Sequence, residues 1–292
     1  MTFCHKSDRR GGSDLKKNVI NWSRFPIYFL LVLMSIFVLF PFAWMAFTSL
    51  KTEVEALRLP ITWVPERPTV NSYIEMWTLK PFAVYFMNSI IISGSTAILS
   101  TMLGALAGYG FSRFSFKGRK FLAGAFLATQ MISGVLLIGP YFKMMSRFGL
   151  YNTRTSLIIA FIAISLPFCS WMMKGFFDTL SKDIEESAMI DGCSRLQAVF
   201  RISMPLAVPG MVATFMFAFL LSWQDLLWSI CLTSTDSVRP VTLGIAFLVG
   251  EFRIKWPMLT AASIIGSIPS IMLYAFLQKS LVEGLTAGAV KE

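Results

Sequence analysis

The chain has 292 residues, of which 55% are hydrophobic and only 14% charged. Soluble domains carry about a quarter of their residues as charged side chains, so this balance belongs to a protein that lives in a membrane. The formal net charge is +10, but no basic stripe interleaved with aromatics stands outside the apolar segments, which argues against a nucleic-acid partner.

Residues 1–24 are polar and basic and read as a cytoplasmic tether, with the single histidine, His5, inside it. Six apolar segments follow, at 26–47, 88–111, 121–140, 156–173, 210–232 and 259–277. Each approaches the roughly twenty residues that a helix needs to cross about 30 Å of hydrocarbon. The first is too long for a signal-peptide core, and it runs into "TSLKTEVEA" rather than a small-residue cleavage site, so it is expected to persist. Lys6, Arg9, Arg10, Lys16, Lys17 and Arg24 precede it, and Arg113, Lys117, Arg119 and Lys120 crowd the tight turn at 112–120. The positive-inside rule places both segments in the cytoplasm. Six crossings then bring the C-terminal tail, 280–292, to the same side. The expected fold class is an all-α integral membrane protein with six transmembrane helices spread over 25–279.

Outside, residues 48–87 contain Pro60, Pro65 and Pro68, which forbid a continuous helix. Trp63, Tyr73 and Trp77 suit either the membrane–water boundary or a docking surface for an external partner. A short amphipathic helix over 141–155 should end at Gly149. The last outer connection, 233–257, mixes polar turns with an apolar piece that either dips into the membrane surface or packs on the spans. Cys4, Cys169, Cys193 and Cys231 have no CxxC spacing, so neither a disulfide framework nor a zinc site is indicated. No HExxH, carboxylate pair or Ser/Lys dyad offers catalysis, and no catalytic or metal-binding residue is assigned.

The segment 181–209 does not match its apolar neighbours. Asp183 and Glu186 resemble an N-terminal capping arrangement for a helix running through Ile190. Asp191-Gly192 is a turn signal. From Ser194, which can cap, a second helix brings Leu196, Val199, Phe200 and Ile202 to one face, and Pro205 and Pro209 close it. On the residues alone, this is a helix–turn–helix on the cytoplasmic face, either a solvated loop on the membrane surface or a docking element.

"EESAMIDGCSRLQAVFRISMPLAVPG" resembles the EAA loop of ABC-importer permeases, and nearly the whole chain is similar to the maltose-permease-like, carbohydrate-uptake branch. Glu186, Ala188, Asp191, Gly192, Phe200, Ile202, Pro205 and Pro209 fall on the pattern, while Ser187 and Cys193 replace the usual alanines. The resemblance implies the ABC type I importer permease fold, located in the bacterial inner membrane, with this loop as a coupling helix. Glu185, Glu186, Ser187, Ala188, Met189, Asp191, Gly192, Cys193, Phe200 and Pro205 would then face an ATP-hydrolysing subunit, with Glu186 capping the helix or pairing with a basic residue of the groove. It further implies a pair of ATPase subunits, a second permease subunit and a solute-binding protein. The chain has no G-x-x-x-x-G-K-[ST], so ATP and Mg would be held by the partner and no cofactor by this chain.

A solute path should be polar and lie near mid-membrane. Trp223, Gln224, Asp225 and Trp228 are the first candidates, since aromatic faces beside amide and carboxylate groups suit a sugar. The alternative is that Asp225 serves a helix end and the tryptophans belong to an interfacial belt. Gln130 and Asn88 are weaker candidates, and Pro167 should loosen the fourth span and free backbone groups that need a polar neighbour. A sugar or related neutral polyol is the expected solute, with glycerol phosphate as the nearest alternative. An ion-coupled carrier is a further alternative, although Asp225 lacks the intramembrane partner that such a carrier needs.

Overall fold

The computed structural model describes residues 25–249 and 254–287, with side chains placed at 26–249 and 254–278. The expected basic tail, 1–24, lies outside the described residues, as do 288–292 and the stretch 250–253 of the last outer connection. The chain divides into two compact units, Met1–Trp44 and Met45–Glu292. Helix α1 (Phe25–Ser49) supplies the described part of the first, and its apolar side chains from Ile27 to Phe42 are largely exposed.

The second unit opens with two short outer helices, α2 (Glu53–Ala56) and α3 (Asn71–Leu79). The long α4 (Phe82–Arg113) follows, then α5 (Arg119–Ala128), a single 3-10 turn at Thr129–Met131, and α6 (Gly134–Arg147). After α7 (Arg154–Thr179) come α8 (Lys182–Ile190) and α9 (Arg195–Ala198). A π-helical turn at Val199–Ser203 leads to α10 (Met204–Leu206), α11 (Val208–Trp223) and α12 (Leu227–Leu232). The unit closes with α13 (Val241–Ala246) and α14 (Trp256–Ala287). Among the described residues the only β-pairing is an isolated bridge between Val249 and Ile254.

Among the described residues four helices are long and apolar enough to cross a membrane, at Pro26–Ser49, Phe82–Arg113, Arg154–Thr179 and Trp256–Gln278. The expected spans at 121–140 and 210–232 are not single rods. The first is bent by 96° between its 3-10 turn and α6, and α11 is bent by 73° against the helical run that precedes it. The fifth span also stops at Trp223, so its expected last turns are the separate α12. Beyond the sixth span the helix continues through Ala287, where a tail was expected from 280. The short helix expected over 141–155 is not separate: it is the second part of α6, which begins at Gly134, and only its expected stop holds, with α6 ending at Arg147 and Gly149 in the left-handed region at φ 67°. The apolar piece of the last outer connection, α13, buries Val241 and Leu243 against the spans.

The centre of the second unit is the α4–α7 pair, held at close range by small residues. Ala97, Ser100, Gly104, Ala105 and Gly108 are all buried, and Ser100 Oγ lies 2.7 Å from Ser165 Oγ. A Cβ on Gly104 would stand 2.9 Å from Cys169 Cβ, and one on Gly108 would stand 2.6 Å from the Lys174 nitrogen. This is the small-xxx-small logic of membrane helices, where close backbone approach replaces the missing hydrophobic drive. Gly108→Leu is expected to lower stability by about 1–3 kcal/mol by overpacking the seam, read as earlier thermal unfolding of the detergent-purified protein. Gly110→Ala, where nothing lies within 4 Å, should unfold no earlier than wild type and gain up to about 1 kcal/mol of helix propensity.

Candidate functional site

On the inner side the chain builds a compact elbow. Helix α8 is capped by Ser181, whose Oγ accepts from the Asp183 amide at 3.2 Å, so the expected Asp183/Glu186 cap is replaced by an earlier one. Its C-terminus is a Schellman turn. The Gly192 amide donates to Met189 O at 3.2 Å and the Cys193 amide to Ala188 O at 3.0 Å, with Gly192 at φ 93°. A side chain at Gly192 would be strained there even though the space around it is open. Ser194 then caps α9 through a reciprocal box with Gln197, as the sequence anticipates.

The faces of the elbow are sharply divided. Glu186, Ser187, Asp191, Gly192 and Pro205 are exposed, Met189 and Cys193 are half-buried, and Ala188 is buried. Ile190 and Leu196 are 85% and 71% exposed, and Phe200 is 59% exposed. An apolar trio of this kind is left without cover by the chain itself. Glu186 makes no hydrogen bond or ion pair among the described residues, so its expected capping role falls to Ser181.

Glu185 points the other way. Its Oε1 accepts from Arg113 Nε at 2.8 Å and its Oε2 from Tyr109 Oη at 2.9 Å. Arg113 also donates to the Leu180 carbonyl at 3.0 Å, and the two side chains of the ion pair are 7% and 11% exposed. Ser112 next to it donates to Asp178 at 2.6 Å. Burial alone would raise the Glu185 carboxyl. Hydrogen bonds from Arg113, Ser203 and Tyr109 outweigh it and hold the group below the ordinary carboxylate range. The pair is therefore complete at neutral pH, and its contribution is lost only as pH falls through that lowered value.

Within the membrane the polar candidates separate. Trp223 is buried, donates from Nε1 to Gly266 O at 3.0 Å and stacks on Phe219, so it joins α11 to α14 instead of facing a path. Asn88 is fully buried and donates to Ser237 O and Arg239 O at 3.0 and 2.9 Å, fastening the outer connection to α4. Asp225 sits in the break after α11, where its Oδ1 accepts from the Trp228 and Ser229 amides at 3.0 and 3.1 Å. From one residue before the N-cap position, Leu226, its carboxylate takes up free amides at the start of α12, which is the helix-end alternative. Gln224 beside it is exposed.

Gln130 is where the structure opens. It lies in the 3-10 turn of the broken third span, and its Nε2 donates to Ile164 O at 2.7 Å, one turn before Pro167. The carbonyl that Pro167 deprives of its intrahelical donor is that of Ala163, so Gln130 bonds the neighbouring carbonyl and sets a polar side chain beside the disturbed turn. A cavity of about 610 Å³ occupies the break, lined by Thr129, Gln130, Gly134, Tyr141, Ile164 and Pro167 among others, with no charged residue. Trp228 stands at its edge: its ring packs against Tyr141 at 5.0 Å, and its Nε1 lies 3.5 Å from where a Gly134 Cβ would be. Of the six expected path residues, Gln130 lines this cavity and Trp228 borders it. Sequence reasoning misses Thr129, an ordinary residue of the third span, and Tyr141, which falls at the start of the expected outer helix over 141–155, and it reads Arg113 only as an orientation charge. The Tyr109/Ser112/Arg113 spacing, three and four residues apart on one helical face, was the available signal.

The comparisons with known proteins converge. Residues 100–286 match the family described as binding-protein-dependent transport system inner membrane component. The chain is 37% identical over 271 residues to the inner membrane ABC transporter permease protein YcjP of Escherichia coli (strain K12), covering 92% of this chain and 97% of that one. It is 34% identical over 263 residues to the trehalose/maltose transport system permease protein MalG of Thermococcus litoralis, covering 89% and 94%. A crystal structure of a bacterial ABC transporter involved in the import of the acidic polysaccharide alginate shares the fold, with TM-score 0.76 at 18% identity, covering 94% of this chain and 100% of that one.

Asp225→Ala should cost about 1 kcal/mol by uncapping α12, whereas Asp225→Asn keeps the acceptor and most of the stability. Thermal unfolding of the two variants side by side checks the assignment.

Proposed function

This chain belongs to the family of binding-protein-dependent transport system inner membrane components, and we propose that it carries a sugar or related neutral polyol into the cytoplasm as one permease subunit of an ABC importer. It is an inner-membrane protein. The observation that carries the mechanism is the elbow, a doubly capped helix–turn–helix whose Ile190, Leu196 and Phe200 are exposed. Such a surface suits an ATP-hydrolysing subunit. The chain itself has no phosphate-cradling glycine loop, so ATP and Mg belong to that partner.

In this reading, nucleotide-driven closure of two ATPase subunits draws the docked elbows of this chain and a second permease together, and the membrane cavity opens toward a loaded binding protein. The cavity at the broken third span is this chain's share of the solute path. Its amide, hydroxyls and aromatic ring match a solute with C–H faces and hydroxyl groups, and its uncharged lining favours a neutral solute over a phosphorylated one. The trehalose/maltose relative supports the same class.

Two experiments test this reading. Gly192→Glu forces a bulky residue into the left-handed turn. It should abolish ATP-dependent uptake and co-purification of the ATPase while leaving membrane insertion intact; retained co-purification would sink the docking assignment. Gln130→Leu should reduce uptake by about tenfold in proteoliposomes containing the whole importer, since a transition-state or path contact of about 1.4 kcal/mol is a factor of ten, while the ATPase stays bound.

A further inference from the structure

Three routes lead from the elbow into the membrane: back along the chain through Leu180 and Ser181 into α7, forward through α9 into α11, and across space from α8 to α4. Through α9, the chain passes a π-helical turn at Val199–Ser203 and then a bend of 73° before α11 begins. Wide turns and sharp bends are places where a helix gives. Through α8, the path is one buried contact long. Glu185 holds Arg113 and Tyr109 with both carboxylate oxygens, and both partners sit on the last turns of the unbroken 32-residue α4. Arg113 simultaneously holds Leu180 at the C-terminus of α7. One guanidinium therefore ties three elements at the inner face.

Building on the docking reading above, we propose that Arg113 is a positioning residue for coupling, and that the Arg113–Glu185 pair, not a contact of Glu185 with the ATPase, transmits motion of α8 to α4, which the chain itself joins to α8 only by way of α5, α6 and α7. Glu185 is buried, so it is not part of the docking face on which its exposed neighbour Glu186 lies. The second carboxylate bond, to Tyr109, fixes the direction of pull as well as its strength.

The test uses the complete importer, with both permeases, the ATPase subunits and the binding protein, in nanodiscs and proteoliposomes. Three quantities are measured for each variant: ATPase co-purification, ATP hydrolysis, and solute transported per ATP hydrolysed. Arg113→Met and Glu185→Gln should keep the ATPase bound and hydrolysing, while transport per ATP falls at least tenfold; Arg113→Lys should fall between these and wild type. Single replacements leave a buried charge or dipole unpaired and are prone to misfold. The double replacement Arg113→Met/Glu185→Leu removes both charges and should regain thermal stability without regaining coupling, which separates positioning from mere structural support. Wild-type transport per ATP in the double replacement, or in any correctly assembled single variant, overturns the proposal. So does loss of the ATPase from Glu185→Gln, which would put Glu185 on the docking face while leaving the docking reading itself intact.

Discussion

A backbone carbonyl or amide exposed inside a bilayer has no water to bond to, and this constraint organises the irregular features of the spans. Where Pro167 disturbs the fourth span, Gln130 reaches across from the third to the Ile164 carbonyl. Where the fifth span breaks, Asp225 takes up the free amides of α12. Trp223 bonds the Gly266 carbonyl of the sixth helix, and Asn88 bonds two carbonyls of the outer connection. Polar residues in these apolar stretches are therefore mostly answers to local backbone demand. The exception is informative: the break at Gln130 is wider than its own hydrogen bond needs, and the surplus is the cavity.

The same economy governs how the pieces of this chain are joined. Its central pair is welded by glycine and serine at backbone range, while the elbow beneath it is stopped and started by three separate caps at Ser181, Gly192 and Ser194. Rigid pieces with defined joints suit the coupling role proposed above. Charge appears where the pieces meet, at Arg113 and Glu185, and is absent from the lining of the cavity.

Much of this was legible in the sequence, for identifiable reasons. Apolar length marks a span regardless of context, so α1, α4, α7 and α14 stand where hydropathy puts them. The Ser194 cap and the Gly192 turn are local chemistry and were readable as such. Hydropathy has no sensitivity to direction, so the 96° and 73° bends left no trace in it. Nor can a one-dimensional pattern say which of two adjacent acids points inward: Glu185 and Glu186 differ by one helical step of about 100°, and only the position of Arg113 decides between them. Asp225 and Trp223 looked like solute ligands because their backbone partners are created by a break and by a neighbouring helix.

The glycine seam has one more consequence, which concerns leverage. Helix α4 is 32 residues long, about 48 Å at 1.5 Å per residue, and at Gly104 and Gly108 its backbone meets α7 too closely for the two to slip freely. Its outer end is tied by Tyr85, Asn88 and Ser89 to Asp236, Ser237, Arg239 and Val241. A tilt of only about 10° applied at the cytoplasmic tip would therefore sweep the opposite mouth, with its attached strap, sideways by about 8 Å.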